Sequence, residues 1–172
     1  MNIKKKSIAI GTALLVTMLA IPTPPAQATT VTTPLSVTAI VGAVCSLTTT
    51  AVSFGSYDPI VANASTALNA TGSISDTCSN GLSGTITLDA GLYPTGSSTA
   101  SVPARQMRSG ASVLAYFLYT DSARTNPWGS TGVGITGTGQ TSVPILVYGQ
   151  VSGGQNAAPG SYADTVTATI TF

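Results

Sequence analysis

Tyr162-Ala163-Asp164-Thr165-Val166-Thr167-Ala168-Thr169-Ile170-Thr171-Phe172 closes the chain, with Tyr162, Val166, Ala168, Ile170 and Phe172 on one parity and Ala163 with a run of threonines on the other. A period of two puts alternate side chains on opposite faces of a strand, and threonine suits pleated backbone better than helix. Chain ends ordinarily fray unless they are docked, so a strand reaching the last residue is expected to be paired into a sheet.

The same period recurs upstream. Val31, Thr33, Leu35, Val37, Ala39 and Val41 alternate with polar residues or Pro34 between 32 and 38, which predicts a leading strand over 31–41. A second strand is expected from Val44 through Phe54, ended by Gly55 and the Tyr57-Asp58-Pro59 turn. Leu68, Ala70, Gly72, Ile74 and Cys78 share one parity and lead into Ser79-Asn80-Gly81. That Asn-Gly pair predicts a hairpin, with Ile86 and Leu88 on an antiparallel neighbour. Residues 91–104 hold the composition of a loop, and 113–119 form the most apolar run beyond the leader, read as a central strand. Residues 125–141 carry Asn126-Pro127, Trp128 and five glycines, which is loop chemistry with room for one short strand; 144–151 make another strand. The expectation is about seven short strands plus the leading one, without internal repeat, spaced as in an immunoglobulin-like sandwich.

Composition narrows the function. Of 172 residues only 6 are Lys or Arg and 5 are Asp or Glu. Lys4, Lys5 and Lys6 precede an apolar run from Ile8 to Ile21 that ends in Ala26-Gln27-Ala28, the pattern of a secretory signal peptide over 1–28. Beyond it stand three arginines against five aspartates, a formal net charge of −2 that gives nucleic acid or anionic lipid no basic surface. No histidine is present, which removes the usual general base near neutral pH, the usual zinc ligand and every triad built on a histidine. Cys45 and Cys78 both lie in the exported part, where an oxidising compartment favours a disulfide. Such a bridge closes a loop of about 30 residues and contributes on the order of 3 kcal/mol.

The remaining motifs favour structural readings. Gly132-Val133-Gly134-Ile135-Thr136-Gly137 matches a dinucleotide fingerprint as a string, but Gly139 and Pro144 deny it the following helix. None of the five aspartates sits in an Asp-Thr-Gly or Asp-Ser-Gly string, and local backbone bonds account for Asp58, Asp89 and Asp121 at turns. Asn63-Ala64-Ser65 and Asn69-Ala70-Thr71 are acceptor strings of a kind frequent by chance in a chain rich in Ser and Thr. Trp128, Tyr116 and Tyr119 could together form a sugar-stacking platform, which keeps a secreted carbohydrate-binding module as an alternative; a single Trp in an all-β domain is more often a core plug or a rim lid. The leading segment is read either as an ordinary first strand or as a donor strand inserted into another subunit's open sheet edge.

The leader, Cys45, Val52 through Pro59, Gly72-Ser73-Ile74 before Cys78, Arg105-Gln106-Met107, Leu114 through Asp121 with Arg124, Trp128-Gly129, Val147-Tyr148-Gly149 and Gly160 through Phe172 resemble, in order, the spore coat protein U domain. That domain is also the subunit of archaic chaperone-usher pili. The resemblance implies an all-β, incomplete immunoglobulin-like β-sandwich with an N-terminal donor strand. It divides the chain into a signal peptide over 1–28, a donor extension over 29–43 and a pilin domain over 44–172. It implies Leu35, Val37, Ala39 and Val41 as donor anchors and Tyr162, Val166, Ala168, Ile170 and Phe172 on the acceptor edge. Its implied partners are neighbouring pilin subunits, a periplasmic chaperone and an outer-membrane usher, with no cofactor, no metal and no enzymatic activity. The implied role is a fibre at the cell surface, reached through the periplasm and used for attachment and biofilm formation; a spore coat component of the same fold is the alternative within the family.

Overall fold

A computed structural model describes residues 22–172. The charged and apolar parts of the expected signal peptide, residues 1–21, lie outside the described residues. Residues 22–39 form one unit and residues 40–172 another. In the first unit there is no strand, and Leu35 and Val37 are 87% and 85% exposed. The strand expected over 31–41 is therefore not formed in the isolated chain: period-two patterning selects a face, but a strand exists only where its N–H and C=O groups find a ladder.

The second unit is all-β, and among the described residues there is no helix. Its strands are β1 (Cys45–Thr50), β2 (Leu68–Cys78), β3 (Ser83–Leu88), β4 (Arg105–Ser109), β5 (Ser112–Tyr119), β6 (Val133–Thr136), β7 (Val143–Val151) and β8 (Ala168–Thr171). They pair antiparallel into a five-stranded sheet, in the order β1-β2-β7-β5-β4, and a three-stranded sheet, β6-β3-β8. The inward faces meet in a core of Ile74, Ile86, Leu88, Leu114, Leu118 and Val147, joined by a fully buried Trp128. The Trp128 indole N–H donates to the Ile86 carbonyl at 3.0 Å, so the one tryptophan is a plug between the sheets.

Three expectations are corrected. First, β2 and β3 are not hairpin neighbours, since they belong to different sheets. The Asn80-Gly81 turn does form, with Gly81 at a φ of 78° and the Leu82 N–H donating to Ser79 at 3.0 Å, but it carries the chain from one layer to the other. Two strands with one apolar face each can bury those faces by stacking as well as by lying side by side, and here they stack. Second, Ala51 through Phe54 leaves the ladder after Thr50. Third, the C-terminal strand is hydrogen-bonded as a strand only over Ala168–Thr171. β4 begins directly after the loop expected over 91–104; its first residue is an arginine, and that arginine faces inward. The run 113–119 is an interior strand as expected, with β7 at the centre of the sheet. The string around Gly132 enters β6, and no helix follows it.

Candidate functional site

The two segments that leave the sheets face one another. On one side, residues 51–57 belong to no ladder, yet Val52 and Phe54 are half-buried between exposed neighbours, and both pack on the core together with half-buried Tyr57. This is the alternation of a strand without its hydrogen bonds. Gly149 makes the seat possible: a Cβ there would lie 2.6 Å from Val52 Cγ1 and 2.8 Å from Phe54 Cζ, closer than real contacts allow. On the other side, Tyr162, Asp164, Val166, Ala168 and Ile170 are half-buried between exposed neighbours. This segment passes from the first sheet, where Ala163 bridges Arg108 of β4, to the second, where β8 pairs with β3.

Among the described residues β8 has a strand partner on one side only, which leaves its other edge bare, and it lies close to the edge strand β1 across the gap between the sheets. Between these walls runs an open groove with two linked parts. A larger part of about 790 Å³ lies between residues 51–57 and 157–164, and a smaller one of about 290 Å³ lies between Val52 and Val166, floored by Ile74, Leu88, Leu118 and Val147. The floor is thus the hydrophobic core itself, reachable along one side of the sandwich.

One wall is held by a polar cluster. The Tyr116 hydroxyl donates to Asp164 Oδ2 at 2.6 Å, while Asp164 Oδ1 accepts from the backbone N–H groups of Leu92 and Thr165, at 2.9 and 2.8 Å. Asp89 Oδ1 accepts from the N–H of Gly91 and of Thr167, both at 2.9 Å. Two aspartates therefore tie the loop after β3 to the crossing segment. Burial, followed by the bond to Asp164, pushes the Tyr116 phenol well above its ordinary pKa. Burial raises the Asp89 carboxyl, but the backbone donors outweigh it and the net shift is downward. Arg105, 1% exposed, donates through Nε to the Asp89 carbonyl and through Nη2 to the carbonyls of Asp89 and Trp128. It locks β4 to the loop after β3 and to the tryptophan plug, and burial lowers its pKa.

At the far end of the groove the Tyr57 hydroxyl donates to the Ser152 carbonyl at 3.1 Å and accepts from the Gln155 N–H at 2.9 Å, fixing the end of the 51–57 wall to the chain beyond β7. Asp58 turns the chain after that wall, accepting from the N–H groups of Ile60, Val61 and Ala62.

Of the residues expected on the acceptor edge, Tyr162, Val166, Ala168 and Ile170 pack against the core, and Phe172 is 54% exposed past β8. The residues expected as donor anchors, Leu35, Val37, Ala39 and Val41, are all exposed. Cys45 and Cys78 are disulfide-bonded and stand opposite one another in the β1–β2 register. Trp128 and Tyr116 are buried, so Trp128 is the core plug the sequence favoured, and the alternative sugar platform of Trp128, Tyr116 and Tyr119 does not form. Sequence reasoning missed Arg105 and the Tyr116–Asp164 pair; the available signal was an aspartate on the apolar parity of the last strand.

Comparison with known proteins fits this geometry. The profile of the Spore Coat Protein U domain matches residues 31–169. Protein U of Myxococcus xanthus is 46% identical over 159 residues, covering 86% of this chain and 88% of that protein. Among solved structures, the fold is similar to one in the chaperone–tip adhesion subunit pre-assembly complex CsuC–CsuE from archaic chaperone-usher Csu pili of Acinetobacter baumannii, with a TM-score of 0.55 and 20% identity. That match covers 77% of this chain and 40% of the other.

Proposed function

The chain belongs to the Spore Coat Protein U domain family, and from that premise we propose that it is a structural subunit of a chaperone-usher surface fibre, linked to its neighbours by donor-strand exchange. The observation that carries this reading is the groove between residues 51–57 and 162–168, whose two walls alternate like strands but share no ladder. A strand laid between them would give the bare edge of β8 its hydrogen bonds and cover the floor at Ile74, Leu118 and Val147.

The segment 29–43 has the required chemistry. Leu35, Val37 and Val41 share one parity with Ala39, and each of the three larger side chains contributes about 1.5–3 kcal/mol when fully buried. In this reading 29–43 is the donor extension, 44–172 the accepting domain, and Tyr162, Val166, Ala168, Ile170 and Phe172 the edge it pairs with. A periplasmic chaperone fills the groove first, an outer-membrane usher exchanges it for the next subunit's extension, and the product is a fibre for attachment and biofilm formation. The role is structural and asks for no catalysis. The likeness to Protein U supports a second reading, in which the same linkage builds a layer of a spore coat.

The test uses the chain lacking residues 29–41. Alone it should aggregate or unfold without cooperativity, and a synthetic peptide of residues 29–43 should convert it into a cooperatively melting species. A compact monomer that melts cooperatively without the peptide, and ignores it, would overturn the proposal.

A further inference from the structure

Away from the groove, the outward face of the five-stranded sheet carries the cations that reach solvent among the described residues. Beyond residue 28 the chain has three arginines, and Arg105 is buried. Arg108 points outward from β4, and its guanidinium carbon lies 4.8 Å from the centroid of the Tyr93 ring. Arg124, from the loop after β5, lies 5.9 Å from the centroid of Tyr148 on β7. It is held there by bonds from Nε to the Gly149 carbonyl and from Nη1 to the Ser122 carbonyl, at 3.3 and 3.1 Å. Arg124 is also the one non-glycine residue with positive φ, at 56°, among the described residues.

Between the two arginines lie aromatic and aliphatic side chains on the same face. Tyr148 stands opposite Tyr119 in the β5–β7 register, the rings of Tyr119 and Phe117 are 6.2 Å apart, and Val113 and Leu146 are 41% and 47% exposed. Arg108 stands opposite Val113 in the β4–β5 register, so from there to Tyr119 the face runs about 20 Å along β5 at ~3.3 Å per residue. The aspartates leave this charge largely uncompensated. Asp76 is turned inward, Asp89 and Asp164 serve the groove wall, and Asp58 caps its own turn. Asp121 is nearest, and its carboxylate is engaged by the N–H groups of Thr125 and Asn126 and by the Thr125 hydroxyl.

We infer that this face binds an acidic polysaccharide, with sugar rings stacked on Tyr119, Tyr148 and Phe117 and uronate carboxylates paired to Arg108 and Arg124. A pyranose presents an apolar C–H face that packs on aromatic rings. A guanidinium lying on a ring keeps its N–H groups available to a carboxylate at its edge; Arg124, whose Nε and Nη1 already serve the Gly149 and Ser122 carbonyls, offers Nη2. Two cations so far apart suit a polymer bearing carboxylates at intervals. Nucleic acid fits poorly, because phosphate binding needs many more cations than the three arginines beyond residue 28 supply. The inference is independent of the strand-accepting groove, and in a fibre it would be repeated on every subunit.

The test is titration of the full chain with polygalacturonate, against dextran as the neutral polymer and single-stranded DNA as the phosphate polymer. Binding to polygalacturonate alone is expected, weakening with added salt. Arg108→Gln and Arg124→Gln should each weaken it about tenfold, as loss of a charge-assisted hydrogen bond does, with Arg124→Lys restoring only part. Melting curves of the variants keep a folding defect distinct from a binding defect. Equal binding to dextran, or unchanged binding by the double Arg→Gln variant, would overturn the inference. So would sedimentation showing that the two arginines govern self-association while polygalacturonate is ignored. Should a variant fail to fold, the wild-type preference among the three polymers still decides.

Discussion

The Tyr116 hydroxyl reaches Asp164 Oδ2 at 2.6 Å, joining an interior strand of the larger sheet to the segment that crosses into the smaller one. The bond is charge-assisted and largely shielded from water, so Tyr116→Phe should cost about 1.5–3 kcal/mol. The loss should register as a lower melting temperature in the peptide-completed species. Because the groove wall is anchored through Asp164, the peptide of residues 29–43 should also dissociate faster from this variant. Unchanged melting and peptide release would mean the wall is held by its backbone bonds alone.

Val37 carries a prediction for the fibre. Val37→Asp would place an unpaired charge in an apolar groove, a penalty of several kcal/mol. Ladders of cross-linked surface fibres should disappear, while chaperone binding through the variant's own groove survives. Thr38→Asp, on the opposite parity, should leave the ladders intact. Normal ladders with Val37→Asp would assign residues 31–41 to some role other than donor.

Reduction of Cys45–Cys78 should destabilise the domain by on the order of 3 kcal/mol, since the bridge closes a separation of 33 residues. It pins β1 to β2 at the start of the edge strand that continues into the 51–57 wall. The Cys45→Ala/Cys78→Ala protein should therefore lose peptide-induced stabilisation as well as thermal stability. Equal melting of oxidised and reduced protein would place the bridge outside the cooperative unit.

Acid should weaken the fold through its aspartates. Asp58 lies below its ordinary pKa because the N–H groups of Ile60, Val61 and Ala62 bond its ionised form. Asp89 is lowered too, its donors from Thr167 and Gly91 outweighing burial. A carboxyl with a depressed folded-state pKa contributes stability that is present above its unfolded value and is lost as pH falls through the folded one. The melting temperature should thus be level from neutrality to about pH 4 and fall below it. Asp89→Asn should begin lower and fall less steeply; parallel profiles would show that Asp89 does not titrate with unfolding.

Period-two patterning by itself determined the inward set Gly72, Ile74 and Cys78 of β2 and the half-buried alternation from Tyr162 to Ile170, and a plain apolar run marked the interior strand over 113–119. These follow from local geometry, because the extended backbone turns successive side chains to opposite faces. The pairing of the two cysteines was legible from composition, since neither has another possible partner within the chain. What stayed hidden depends on distant chain. Whether Ile86 lies beside Ile74 or across from it is decided by which arrangement closes the core around Trp128, and an Asn-Gly turn serves either. Arg105 reads as surface in the sequence and is buried in the fold, because the carbonyls of Asp89 and Trp128 converge on its guanidinium only after β3, β4 and the loop before β6 have come together. The same holds for the groove, whose walls at 51–57 and 162–168 carry the residue pattern of strands. Tertiary structure alone withholds their ladder, since a hydrogen-bonded strand requires a neighbour that these residues do not themselves encode.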